Sequence, residues 1–128
     1  AVSPVYESRP WGGVEQDPYL NAVLLVDGPA VPAYWLGRAH SAEQAAGRER
    51  EVRWGPRTLD VDVVAVDGAT SDDPALTVPH PYAHERAFVL RPWWDVDPDA
   101  VLTGRRIAGL LAQIGDEGLV RRDDIGLG

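Results

Sequence analysis

Two apolar, β-branched runs bracket one helical segment, and that order restricts the chain to a mixed fold. Residues 19–26 (YLNAVLLV) and 59–66 (LDVDVVAV) have strand composition, and each closes on a turn pair, Asp27-Gly28 and Asp67-Gly68. Between them, Trp35, Leu36, Ala39, Ala42 and Ala46 recur at helical spacing, with Pro32 opening the segment and Gly47 closing it. The spacing predicts a helix over residues 32–47. Strand, helix, strand and then mixed elements predict an α+β layer fold.

The remaining segments are shorter. Residues 9–18 are rich in Pro and Gly and predict a loop. Residues 48–58 are polar and broken by Gly55-Pro56, which also predicts a loop. Residues 71–83 are turn-rich through Pro74, Pro79 and Pro81. Residues 87–90 are a short apolar strand or a helix start, 105–114 a short amphipathic helix, and 118–120 a last edge strand. No internal repeat interrupts this order, and 128 residues suit a single domain over 1–128.

Composition removes several function classes. There is no Cys, so disulfides, zinc–thiolate sites and cysteine nucleophiles are excluded. The net charge of -8 argues against a nucleic-acid-tracking surface, which needs excess positive charge. No apolar run approaches the roughly 20 residues of a membrane span. A monomer in the cytoplasm is the expectation. Every basic residue is Arg, which removes a Walker-type phosphate loop and Schiff-base chemistry. Any phosphate would be held by Arg.

The chemistry concentrates around Asp60 and Asp62. Side chains alternate on a strand, so the two carboxylates share one face, about 7 Å apart, with Leu59, Val61 and Val63 on the other. Such a pair can hold Mg²⁺, and it can equally be a solvated strand face. Arg48, Arg50, Arg53 and Arg57 crowd residues 48–57, just upstream. Arg forks match phosphate oxygens, and a metal bridges those oxygens to carboxylates. The alternative is pairing of these arginines with Glu43, Glu49 and Glu51. His80 and His84 are four apart, but Pro81 lies between them and no third ligand is evident, so zinc is not expected. Trp54 and Phe88 are either core or a ligand platform. Asn21, on an apolar strand face with Tyr19, must find partners or meet an amide edge.

The block Arg53-Trp54-Gly55-Pro56-Arg57-Thr58-Leu59-Asp60-Val61-Asp62 resembles the signature of the 6-hydroxymethyl-7,8-dihydropterin pyrophosphokinase family of folate biosynthesis. Further blocks agree in order. They are Tyr6-Glu7 with Pro10-Trp11-Gly12 and residues 16–21; Glu43 with Gly47-Arg48 and Arg50; and Pro79-His80-Pro81 with residues 84–90. The resemblance implies transfer of pyrophosphate from ATP to the pterin hydroxymethyl group, with release of AMP and use of two Mg²⁺ ions. It implies that Asp60 and Asp62 hold the metal, with Arg48, Arg57 and Asp62 catalytic. Glu43, Arg48, Arg50, Trp54, Arg57, Thr77, His80 and Arg86 would meet ATP. Ser8, Trp11, Tyr19, Asn21, Trp54 and Phe88 would meet the pterin.

The family's fold is a ferredoxin-like βαββαβ sheet with helices on one face, and its first strand and helix are expected to be absent from this chain. Ala75 stands where some relatives carry a basic residue. The competing expectation is a truncated, non-catalytic relative that keeps the ligand loops or serves as an interaction domain.

Overall fold

A computed structural model describes residues 1–8, 19–50 and 59–125, the side chains of 47–50 excepted. The loop expected at 9–18 and the part of the Arg-rich segment at 51–58 lie outside the described residues. In chain order the elements are β1 (Tyr6–Ser8), β2 (Tyr19–Asn21), α1 (Pro32–Arg50), β3 (Ser71–Asp73), β4 (Leu76–Val78), α2 (Ala87–Val96), β5 (Val101–Leu102), β6 (Arg105–Arg106), α3 (Ile107–Ile114) and β7 (Leu119–Arg121). A 3-10 turn, Ala83–Glu85, precedes α2. This is a mixed α+β architecture with small antiparallel sheets. No described helix is long and apolar enough to cross a membrane. The chain divides into two compact units, residues 1–27 with 82–128, and residues 28–81.

In the first unit, β1 is the central strand of an antiparallel sheet ordered β2-β1-β7. Tyr6 lies opposite Asn21 and Arg121, and Ser8 opposite Tyr19 and Leu119. The strand expected over 19–26 is broken rather than continuous. Val2 bridges Leu24, so the three residues between Val2 and Tyr6 oppose the two between Asn21 and Leu24, the arithmetic of a bulge. Pro4 lies inside the bulge, has no N–H to donate, and so cannot continue the ladder. The Val23 N–H turns instead to the buried Ser3 hydroxyl at 2.8 Å. The last edge strand, β7, forms where the sequence places it.

The apolar core of this unit lies between α2, α3 and the sheet. Leu90 and Ile107 are completely buried, and Trp93, Leu102 and Leu110 nearly so. The stripe at residues 90 and 93 of α2 and at 107 and 110 of α3 brings the two helices into contact. Each such side chain contributes about 1.5–3 kcal/mol on leaving water. Residues 87–90 prove to be a helix start. The helix continues through Pro92, whose missing N–H removes one intrahelical bond to the Phe88 carbonyl. The helix expected from residue 105 begins only at Ile107, because Arg105 and Arg106 pair with β5. The intervening turn, Thr103-Gly104, has positive φ at both residues, the hairpin geometry that favours Gly.

In the second unit, α1 runs three residues past the expected Gly47, so the backbone of Arg48 to Arg50 is helical rather than loop. Among the described residues, Ala39 on α1 and Val78 on β4 are its buried apolar side chains, and the two elements are in contact. The turn expected at Asp27-Gly28 does not form, and Gly28 instead lets the chain pass close to Trp35. A Cβ at Gly28 would meet the Trp35 ring at 2.5 Å. Residues 71–78, expected only as turns, form the hairpin β3–β4. Its turn is closed by the Asp73 carboxylate, which accepts the Ala75 N–H at 2.9 Å.

Candidate active site

Of residues 59–66, only 60–63 keep the alternation expected of a strand; Val63 and Val64 are both half-buried, and the segment forms no named ladder among the described residues. Asp60 and Asp62 are exposed, while Val61 and Val63 are half-buried. Leu59, expected on the covered face, is 40% exposed. The segment is tied to its surroundings one bond at a time. The Val61 N–H donates to Glu43 Oε2 at 2.9 Å, and the Val64 carbonyl accepts the His80 N–H at 2.7 Å. Val66 bridges Ala69 across the Asp67-Gly68 turn. A side-chain carboxylate thus takes a backbone donor of this segment.

Glu43 reaches this segment because of its place on α1. Trp35, Leu36, Ala39, Glu43 and Ala46 form the covered stripe of the helix, whereas Ala42, expected on it, is exposed. A carboxylate on a covered stripe needs donors, and an amide N–H supplies one. The second unit therefore brings Glu43, Asp60, Asp62 and the backbone of His80 together. Thr77 sits on β4, half-buried, its hydroxyl donating to the Asp73 carbonyl at 3.2 Å. Arg48 and Arg50 lie at the end of α1, where only their backbone is described. Trp54 and Arg57 lie outside the described residues. Among the described residues no group of three or more His, Asp or Glu side chains forms a ready metal cage.

The first unit carries Ser8, Tyr19, Asn21, Arg86 and Phe88. Ser8 lies opposite Tyr19 in the sheet, and Tyr6 opposite Asn21, so all four share one face. The Asn21 amide donates to Ser8 Oγ over a long 3.4 Å, and the Ser8 hydroxyl donates equally loosely to the Tyr19 carbonyl. An amide group offers two donors and two acceptor positions, so most of that capacity remains for a ligand edge. Tyr19 is 64% exposed. Helix α2 packs against β1 and β2, and Phe88 lies in its first turn with Arg86 at its N-cap. Trp11 lies outside the described residues.

Sequence reasoning missed the polar network beneath this face. The Tyr6 hydroxyl donates to Asp95 Oδ2 and accepts from Arg91 Nε at 3.1 Å. Arg91 also approaches Asp95 at 3.6 Å and Asp116 at 3.8 Å, and its guanidinium lies 4.7 Å from the Trp94 ring centre. Burial pushes the Tyr6 hydroxyl above its ordinary range, and the bond to Asp95 adds to the effect. Burial acts against the Arg91 charge, but the bond to Tyr6 and the nearby carboxylates outweigh it and hold Arg91 above its usual range. On the other face of β1, Glu7 pairs with Arg122 at 3.0 Å. Tyr6 is 85 and 89 residues from Arg91 and Asp95, and Glu7 is 115 from Arg122, so no local pattern announces those pairings; only Arg91 and Asp95 stand at helical i,i+4 spacing.

Comparison with known proteins shows which family the chain resembles along most of its length. The model of the family described as 7,8-dihydro-6-hydroxymethylpterin-pyrophosphokinase matches residues 1–98. The chain is 51% identical to the 2-amino-4-hydroxy-6-hydroxymethyldihydropteridine pyrophosphokinase of Mycobacterium tuberculosis, over 89% of this chain and 68% of that protein. It is 42% identical to the proteins of the same name from Methylorubrum extorquens and Pseudomonas aeruginosa. Those alignments cover 94% of this chain and 77% and 75% of the relatives.

Proposed function

The chain belongs to the 7,8-dihydro-6-hydroxymethylpterin-pyrophosphokinase family, and on that premise we propose that it transfers pyrophosphate from ATP to 6-hydroxymethyl-7,8-dihydropterin in folate biosynthesis. The pterin hydroxyl oxygen attacks the β-phosphorus of ATP. The bond from that phosphorus to the oxygen bridging the α-phosphate breaks, AMP leaves with that oxygen, and the hydroxyl proton is lost. We read residues 1–128 as one pyrophosphokinase domain of the family's ferredoxin-like arrangement. It acts as a cytoplasmic monomer on two small-molecule substrates.

The observation that supports the chemistry best is the Glu43–Val61 hydrogen bond of 2.9 Å, which fixes the backbone between two exposed carboxylates. Asp60 and Asp62 fit Mg²⁺, which takes oxygen ligands, keeps several waters and uses only one or two carboxylates beside the substrate's phosphates. Bound there, two Mg²⁺ ions would offset the negative charge that resists attack on a polyphosphate. Asp62 also lies on the side of the attacking hydroxyl in this reading. Arg48, Arg50, Arg57, Arg86, Thr77, His80, Glu43 and Trp54 hold the nucleotide and its phosphates. Ser8, Trp11, Tyr19, Asn21, Trp54 and Phe88 hold the pterin, with Asn21 pairing the amide edge and the aromatic rings stacking on the ring system.

Phosphorus NMR of the products tests the reaction. The expected result is AMP and a pterin diphosphate ester in equal amounts. ADP with a pterin monophosphate would contradict attack at the β-phosphorus.

A further inference from the structure

We infer that Tyr82 is a positioning residue for the anionic substrate, acting through Arg86. The Arg86 guanidinium lies 5.7 Å from the Tyr82 ring centre and 5.6 Å from that of Phe88. Both distances are within cation–π range. The other half-buried arginines among the described residues face carboxylates: Arg91, although it too lies over aromatic rings, faces Asp95 and Asp116, and Arg122 faces Glu7 and Asp124. Among the described residues no carboxylate pairs with Arg86. Arg86 is thus held by two aromatic rings without a carboxylate, whereas Arg91 and Arg122 have carboxylates as partners.

The difference has a chemical consequence. A guanidinium paired with a carboxylate spends its forked donors on that carboxylate, whereas one held by rings keeps its N–H edge for another anion. A ring contact also restricts a long side chain that would otherwise lose rotamer freedom on binding. Arg86 precedes Phe88 by two residues at the start of α2, so the held cation stands beside the aromatic ring read as the pterin platform. Tyr82 is 57% exposed, so truncating it removes little core. The inference rests on the reading of the chain as a pyrophosphokinase and adds a residue to it.

The experiment compares Tyr82→Leu, Tyr82→Phe and Arg86→Ala, with the Tyr82→Leu/Arg86→Ala double variant, in steady-state assays of ATP and pterin turnover with melting temperatures. Tyr82→Leu is expected to raise KM for ATP about two- to five-fold with little change in kcat, the size of a part-exposed cation–π contact. Tyr82→Phe restores KM because it keeps the ring. In the Arg86→Ala background, Tyr82→Leu adds nothing further. An unchanged KM in Tyr82→Leu overturns the inference. So does a Phe variant as impaired as Leu, or an effect that persists without Arg86. Wild-type protein that turns over neither substrate overturns the functional reading itself, and this inference with it.

Discussion

Glu43, three full turns into α1, accepts the backbone N–H of Val61 at 2.9 Å and so holds the residue between Asp60 and Asp62. The bond makes the helix a brace for the two carboxylates. Glu43→Leu leaves that N–H without its acceptor and is expected to cost about 1–3 kcal/mol of stability. Loosening the carboxylates should also lower kcat about 10-fold or more, since catalysis depends on placement to within an ångström. Glu43→Gln keeps an acceptor oxygen and should recover most of the stability. Thermal melts and rates at saturating Mg²⁺ check both effects; wild-type values for Glu43→Leu would refute the brace.

The pterin assignment separates Phe88 from Asn21. Phe88 is half-buried, so Phe88→Ala should cost less than the about 3–5 kcal/mol of a fully buried ring, while pterin affinity falls selectively. Asn21→Ala should also weaken pterin binding, because the ring's amide edge loses its partner. Calorimetric titration of each variant with pterin, beside its melting curve, reads both quantities. A Phe88→Ala protein that melts far lower yet binds pterin normally would make that ring purely structural.

The Tyr6 network predicts a stability change in alkali. The folded state holds the Tyr6 hydroxyl above the usual tyrosine range, chiefly through burial and then through Asp95. Its contribution is therefore complete below the unfolded value of about 10 and is lost as pH rises through the higher folded value. Tyr6→Phe should remove that decline, so the stability difference between wild type and variant should narrow above pH 10. Chemical denaturation from pH 8 to 11 measures it; a constant difference would show that Tyr6 does not titrate differently on folding.

Much of this architecture is legible in the sequence where the signal is local. The helix at Pro32, the edge strand β7 and the alternation at Asp60 and Asp62 all follow from spacing and punctuation. Local signals mislead where one residue has two meanings. Pro92 stops the reading of α2 at Leu90, yet the helix absorbs it by forgoing one bond. Pro74 marks residues 71–78 as turn, yet it occupies only the turn between two three-residue strands. Tyr6 and Arg91, or Glu43 and Val61, meet only after folding, and their partners leave no periodic trace. Tyr82 looks like an ordinary turn residue until Arg86 is seen over its ring.

The central claim is that the Asp60–Asp62 pair serves pyrophosphoryl transfer, and release of AMP measures it most directly. With ATP, Mg²⁺ and 6-hydroxymethyl-7,8-dihydropterin, the wild-type chain should release AMP only when the pterin is present. Asp62→Ala should slow that release by about 100-fold or more, the scale of losing one charge-stabilising group at the reacting centre. Val61→Thr, which keeps the backbone N–H bound by Glu43, should stay near the wild-type rate. Pterin-dependent AMP release that is undiminished in Asp62→Ala, or absent from the wild-type chain, would contradict the account.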